Sequence, residues 1–145
     1  MIVLVQASVL TVGLNGKNEV LRELPIRLIT MQSGKKAARS LKNEKFDSVI
    51  SKWDLCDMEN GQFLRTLRAV KPGIPTIAFV KAGDQAQEIA ARSLGVSAVL
   101  TEEANDGLFR ETVANVLGLR DIVSIKAIAA AENEKRRYQK AKIAK

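Results

Sequence analysis

The stretch FDSVISKWDLCDMENG, residues 46–61, decides how the chain is read. Asp47–Ser51 reads as a strand, and its apolar run suits burial on both faces, the pattern of a parallel sheet. Lys52 stands where that strand ends. A polar loop with Asp54 and Asp57 follows, and Gly61 opens a helix. Phe63, Leu64, Leu67 and Val70 recur at three-to-four-residue spacing in that helix, with Arg65 and Arg68 on its wet side. Lys71-Pro72-Gly73 stops it.

Outward from this unit the same alternation continues. On the amino side, Ile2–Val5 reads as a first strand, Asn18–Leu24 as the end of a first helix before Pro25, Ile26–Met31 as a second strand and Lys35–Leu41 as a short helix. The segment VLTVGLNG carries strand-like and turn-like signals where a helix would be wanted. On the carboxyl side, Pro75–Val80 reads as strand four. Asp84 is placed to cap a helix over Gln85–Leu94, with Gly95 as its stop. Val96–Leu100 is strand five, and Leu108, Thr112, Val113, Val116 and Leu117 lay one face of a last helix ending at Gly118. Five strands alternating with helices predict an α/β fold, a doubly wound parallel sheet covered on both sides. Sites in such sheets lie at the carboxyl ends of the strands.

Composition limits the chemistry. The 145 residues suit one core, and 46% apolar content suits a globular chain. One Cys and no His leave no disulfide framework, no Cys/His zinc site and no histidine base. Cys56 has no nameable base partner and reads as loop filler. The N-terminal MIVLVQASVLTVGL lacks a basic leader region and is interrupted by Gln6, Ser8 and Thr11, so a buried strand is expected rather than a signal peptide. A soluble cytoplasmic protein without a cofactor is the expectation. The net charge of +7 is uneven: residues 1–118 hold 15 cations and 13 anions, whereas 119–145 hold eight cations and three anions. A boundary near Gly118 divides a domain, 1–118, from a basic tail, 119–145.

The order and spacing of SGKKAARSL, FDSVIS, MENGQFLRTLRAVKPGIPTIAF and LGVSAVL resemble a response regulator receiver domain of the CheY-like type. The resemblance implies a flavodoxin-like sheet of order 2-1-3-4-5. It also implies an acceptor aspartate at the end of strand three, magnesium-binding acidic residues after strand one, a Thr or Ser ending strand four, an aromatic in strand five and a lysine after it. The positions matched to these are Lys52, Gln6 and Ala7, Val80, Val99 and Glu102, and the loop after Lys52 carries one extra residue. Phosphoryl transfer needs an acceptor, a metal and a cation together. Their joint loss implies a degenerate receiver, a signalling and protein-interaction module independent of phosphorylation rather than an enzyme. Asp54 or Asp57 is the fallback acceptor if the insertion shifts the strand end. The charges at Lys52 and Glu102 are exchanged relative to the family, so the two either form a reversed ion pair or stand separately in water. By the same resemblance, a protein partner would dock on helix four, strand five and helix five, at Gln85, Glu88, Arg92, Glu102 and Arg110.

The tail, LRDIVSIKAIAAAENEKRRYQKAKIAK, is rich in helix formers. Its Ile122, Ile125 and Ile128 could pack on the domain or on a second copy in a homodimer. Its Lys135, Arg136 and Arg137 could instead bind nucleic acid, or the segment could be a solvated connector. No apolar stretch is long enough for a membrane span.

Overall fold

The computed structural model describes residues 7–118. The expected strand Ile2–Val5, the position Gln6 and the basic tail with Lys135, Arg136 and Arg137 lie outside the described residues. Strands β1 (Ala7–Val12), β2 (Ile26–Met31), β3 (Ser48–Lys52), β4 (Thr76–Val80) and β5 (Ala98–Thr101) form one sheet of order β2-β1-β3-β4-β5, and every pairing is parallel. Helices α1 (Asn18–Leu21), α2 (Gly34–Asn43), α3 (Gln62–Val70), α4 (Gln85–Ser93) and α5 (Asp106–Val116) connect and follow the strands. The expected doubly wound α/β fold is present, with the expected strand order.

Side-chain alternation divides the core into two layers. Leu10, Val12, Val49, Ala78 and Val80 point to the layer shared with Ala37 and Leu41 of α2 and Phe63, Leu64 and Leu67 of α3. Val9, Ile50, Ile77, Phe79 and Leu100 point to the other, shared with Leu21 of α1 and Phe109 and Val113 of α5. All five residues of β4 are buried, as a strand covered on both faces requires. Phe79 and Phe109 meet with ring centroids 5.0 Å apart and tilted by 56°.

Several element boundaries differ from the sequence expectation. The first strand is Ala7–Val12, since this segment pairs with both β2 and β3. The VLTVGLNG segment therefore supplies most of a strand and its closing turn, with Gly13 at φ 74°. The helix after it is short: a 3-10 turn at Asn15–Lys17 and one turn of α1. Thr11 donates its hydroxyl to Asn18 Oδ1 at 2.7 Å inside the protein, fixing that turn against β1. In α3, Val70 is 53% exposed, so the inward stripe ends at Leu67. In α5, Phe109 rather than Leu108 is the inward residue, and Leu108 is exposed. Asp84 caps α4 as expected, accepting from the Gln87 backbone N–H at 3.1 Å.

Trp53 is fully packed, at 4% exposure. Its indole fills the space beside Gly61, which sits at φ 68° as the N-cap of α3, and Arg65 lies 5.7 Å over the ring. A Cβ at Gly61 would overlap the indole and would also occupy left-handed backbone. Gly61→Ala is expected to destabilise the domain by about 2 kcal/mol or more. Chemical denaturation followed by the fluorescence of Trp53 measures this, and an unchanged midpoint would contradict the packing described.

Candidate functional site

The carboxyl ends of β1, β3, β4 and β5 converge on one edge of the sheet, at Gly13, Lys52, Lys81 and Glu102. Lys52 closes β3, and its ammonium lies 3.1 Å from Glu102 Oε1, just past β5. The pair thus reaches across the end of β4, which lies between those two strands. The side chains are 35% and 44% exposed, so the pair is worth no more than about 1 kcal/mol and is open to screening by salt. Its effect is on shape: it fixes one charged wall of a cleft of about 220 Å³ floored by Phe79 and flanked by Gly13 and Lys17. The Lys17 ammonium lies 5.5 Å over the Phe79 ring, adding a second cation to the cleft.

The two loop aspartates are engaged in holding backbone. Asp54 accepts from the Asn60 N–H at 2.8 Å and from Gln87 Nε2 at 3.0 Å. Gln87 in turn accepts from the Lys81 N–H at 2.9 Å, so one amide ties the loop after β3 to the loop after β4. Asp57 accepts from the N–H groups of Gly34 and Lys35 and from the Ser33 hydroxyl, at 2.8, 3.0 and 2.7 Å. A carboxylate at the first turn of α2 also complements the helix dipole. The Lys35 N–H, then Ser33 and Gly34, hold the Asp57 carboxyl down at about 2. The β3–α3 loop closes with Asn60 and Gly61 both at positive φ.

Magnesium needs hard oxygen ligands, usually one or two carboxylates together with water. The residues that follow β1 are Gly13 and Leu14, and the residue that ends β3 is an ammonium. Among the described residues no three His, Cys, Asp or Glu side chains gather in a way that could hold a metal ion. The site as built does not fit that cation.

No family model matches the chain. Two curated proteins align with 29% identity over 90 residues: the transcriptional regulatory proteins GlrR of Escherichia coli K12 and QseF of Escherichia coli O157:H7. The match covers 62% of this chain but only 20% of each of theirs, so the chain spans a fifth of the curated relatives it matches. Among solved structures, a CheY-like response regulator receiver domain protein of Methanospirillum hungatei superposes with a TM-score of 0.71 at 16% identity, covering 81% of this chain and 98% of that one. The receiver domain of a sensor histidine kinase from Pseudomonas aeruginosa, solved with magnesium in its active-site cleft, gives 0.69 at 18% identity, covering 79% and 99%.

The fold is that of a CheY-like receiver domain.

Within the receiver fold the sequence-predicted positions fall as follows. Lys52 and Glu102 meet at the sheet edge, and the reversed pair is the one of the two alternatives that forms. Val80 ends β4, fully buried and without a hydroxyl. Val99 lies in β5, packed on the α2/α3 core layer where an aromatic would be bulkier. Ala7 is misplaced: it opens β1 at the amino end of the sheet, opposite the cleft, because the first strand runs to Val12. Gly13 and Leu14 take the place assigned to Gln6 and Ala7. Arg110 does not share a face with α4, since its guanidinium reaches Glu23 between α1 and β2 at 2.8 Å. Gln85, Glu88 and Arg92 do share α4, where Arg92 pairs with Glu88 at 3.0 Å. Sequence reasoning missed Lys17 and Gln87. The signal for Gln87 was available in its place three residues after the cap Asp84.

Because the Asp57 carboxyl is lowered from 3.8 to about 2, its stabilising effect is complete above the unfolded value and fades as pH falls through about 2. Asp57→Ala is expected to lower Tm near neutral pH. The gap between variant and parent should narrow in strong acid. Paired thermal scans from neutral pH to pH 2 check it, and a gap that widens on acidification would contradict the assignment.

Proposed function

We propose that this chain is a signalling module of the response regulator type that acts through protein contacts and without a phosphoryl switch. The observation that carries the reading is the Lys52–Glu102 ion pair. An ammonium cannot form an acyl phosphate, and here it is bound to a carboxylate placed where the family would have a lysine. The likeness to receiver structures supports the scaffold, and the two transcriptional regulatory relatives support a place in regulation. Gly13 and Leu14 after β1, and Val80 at the end of β4, support the loss of metal binding and of the moving hydroxyl.

With the switch gone, recognition rests on a fixed surface. The outer side of α4 offers Gln85, Glu88 and Arg92 around Ile89, which is 65% exposed. An apolar anchor ringed by polar groups is the anatomy of a protein contact. Glu102 stands at the end of the neighbouring strand, held by Lys52.

Incubation with a small phosphodonor and magnesium, read by intact mass, tests the proposal. The expected result is no phosphoryl adduct on the protein, with the parent and Asp54→Asn indistinguishable. A stoichiometric adduct that disappears in Asp54→Asn or in Asp57→Asn would overturn it.

A further inference from the structure

We infer that the exposed face of α2 is a docking surface for the phosphate backbone of a nucleic acid. From Gly34 to Lys45 the chain carries Lys35, Lys36, Arg39, Lys42 and Lys45 against the single carboxylate Glu44. The first 118 residues have a net charge of only +2, so this one segment holds more than the domain's whole excess. At 100° per residue, Lys35, Arg39 and Lys42 fall within about 60° of one another. They lie opposite Gly34, Ala37 and Leu41, which face the core.

The exposed side chains of α2 are the four cations Lys35, Lys36, Arg39 and Lys42, together with Asn43. None of the four forms an ion pair among the described residues. The helix dipole accounts for Lys42, in the last turn, but not for Lys35 and Lys36, which sit in the first turn, where it disfavours cations. The nearby Asp57 carboxylate is already bound to backbone N–H groups of that turn. Arg27 of the edge strand β2 is exposed on the same side of the sheet, in alternation with Ile29 and Met31, which pack against the α2 core layer.

The composition of the face selects the partner. A protein contact draws its affinity from an apolar or aromatic centre, and α2 exposes none. A row of like charges without an apolar anchor fits a polyanion that releases counterions when it is neutralised. The rise from Lys35 to Lys42 is about 10 Å, so one helix can follow several phosphates along a strand.

The test uses the full chain and a fluorescently labelled duplex DNA of random sequence, with anisotropy measured across a salt series. Replacing Lys35, Lys36, Arg39 and Lys42 together by Gln should reduce the slope of log affinity against log salt by about 3 to 4. Replacing Lys135, Arg136 and Arg137 by Gln should leave that reduction in place. Thermal unfolding of the α2 variant should match the parent, since none of the four side chains enters the core. An unchanged slope in the α2 variant would overturn the proposal. So would the absence of duplex binding at low salt, or equal binding of polyglutamate, which would make the partner an acidic protein.

Discussion

A parallel sheet covered on both faces leaves polar chemistry only its ends. β3 and β4 are buried almost throughout, so a charged side chain on either must stand at a strand terminus. Lys52 meets that constraint by being the last residue of β3, where its stem leaves the core and its ammonium finds Glu102. Everything distinctive about the cleft follows from this placement. The cation that closes β3 and the anion that follows β5 flank the end of β4, and Phe79 between them forms the floor.

The loop after β3 is held as firmly as the strand before it. Trp53 plugs the space beside Gly61, Asp54 reaches Asn60 and Gln87, and Asp57 anchors the first turn of α2. Both loop carboxylates are engaged as acceptors of backbone and side-chain hydrogen bonds. Each is a charge-assisted hydrogen bond, the stronger kind, and each spans two different connections of the fold. These bonds tie the loop after β3 to the first turn of α2 and to α4. A switch would need a second arrangement of similar energy at this edge.

The sequence disclosed the elements whose period and punctuation agree. α3 lies between Gly61 and Pro72, α4 between Asp84 and Gly95, and both stand within a residue or two of where the pattern puts them. The first strand was not legible because MIVLVQASVLTVGL offers two apolar runs of similar strength. The choice between them depends on pairing with β2 and β3, which are distant in sequence. Of the positions expected to bind metal, Ala7 therefore stands at the amino end of the sheet, where β1 begins. Lys52 and Glu102 were legible through the family resemblance, because each stands within two residues of its strand's end. Arg110 was not, because its direction depends on Glu23, 87 residues away. Val70 and Leu108 fit the helical period yet are exposed, since among the described residues no element covers those sides of α3 and α5.

On the proposed reading, the Lys52–Glu102 pair stands in a site that does not take magnesium. A magnesium titration followed by backbone amide NMR tests this most directly, at Gly13, Lys52 and Trp53. No saturable shift is expected at those three amides, only the small uniform drift caused by ionic strength. Saturable, co-varying shifts confined to Gly13, Lys52 and Trp53 would contradict it.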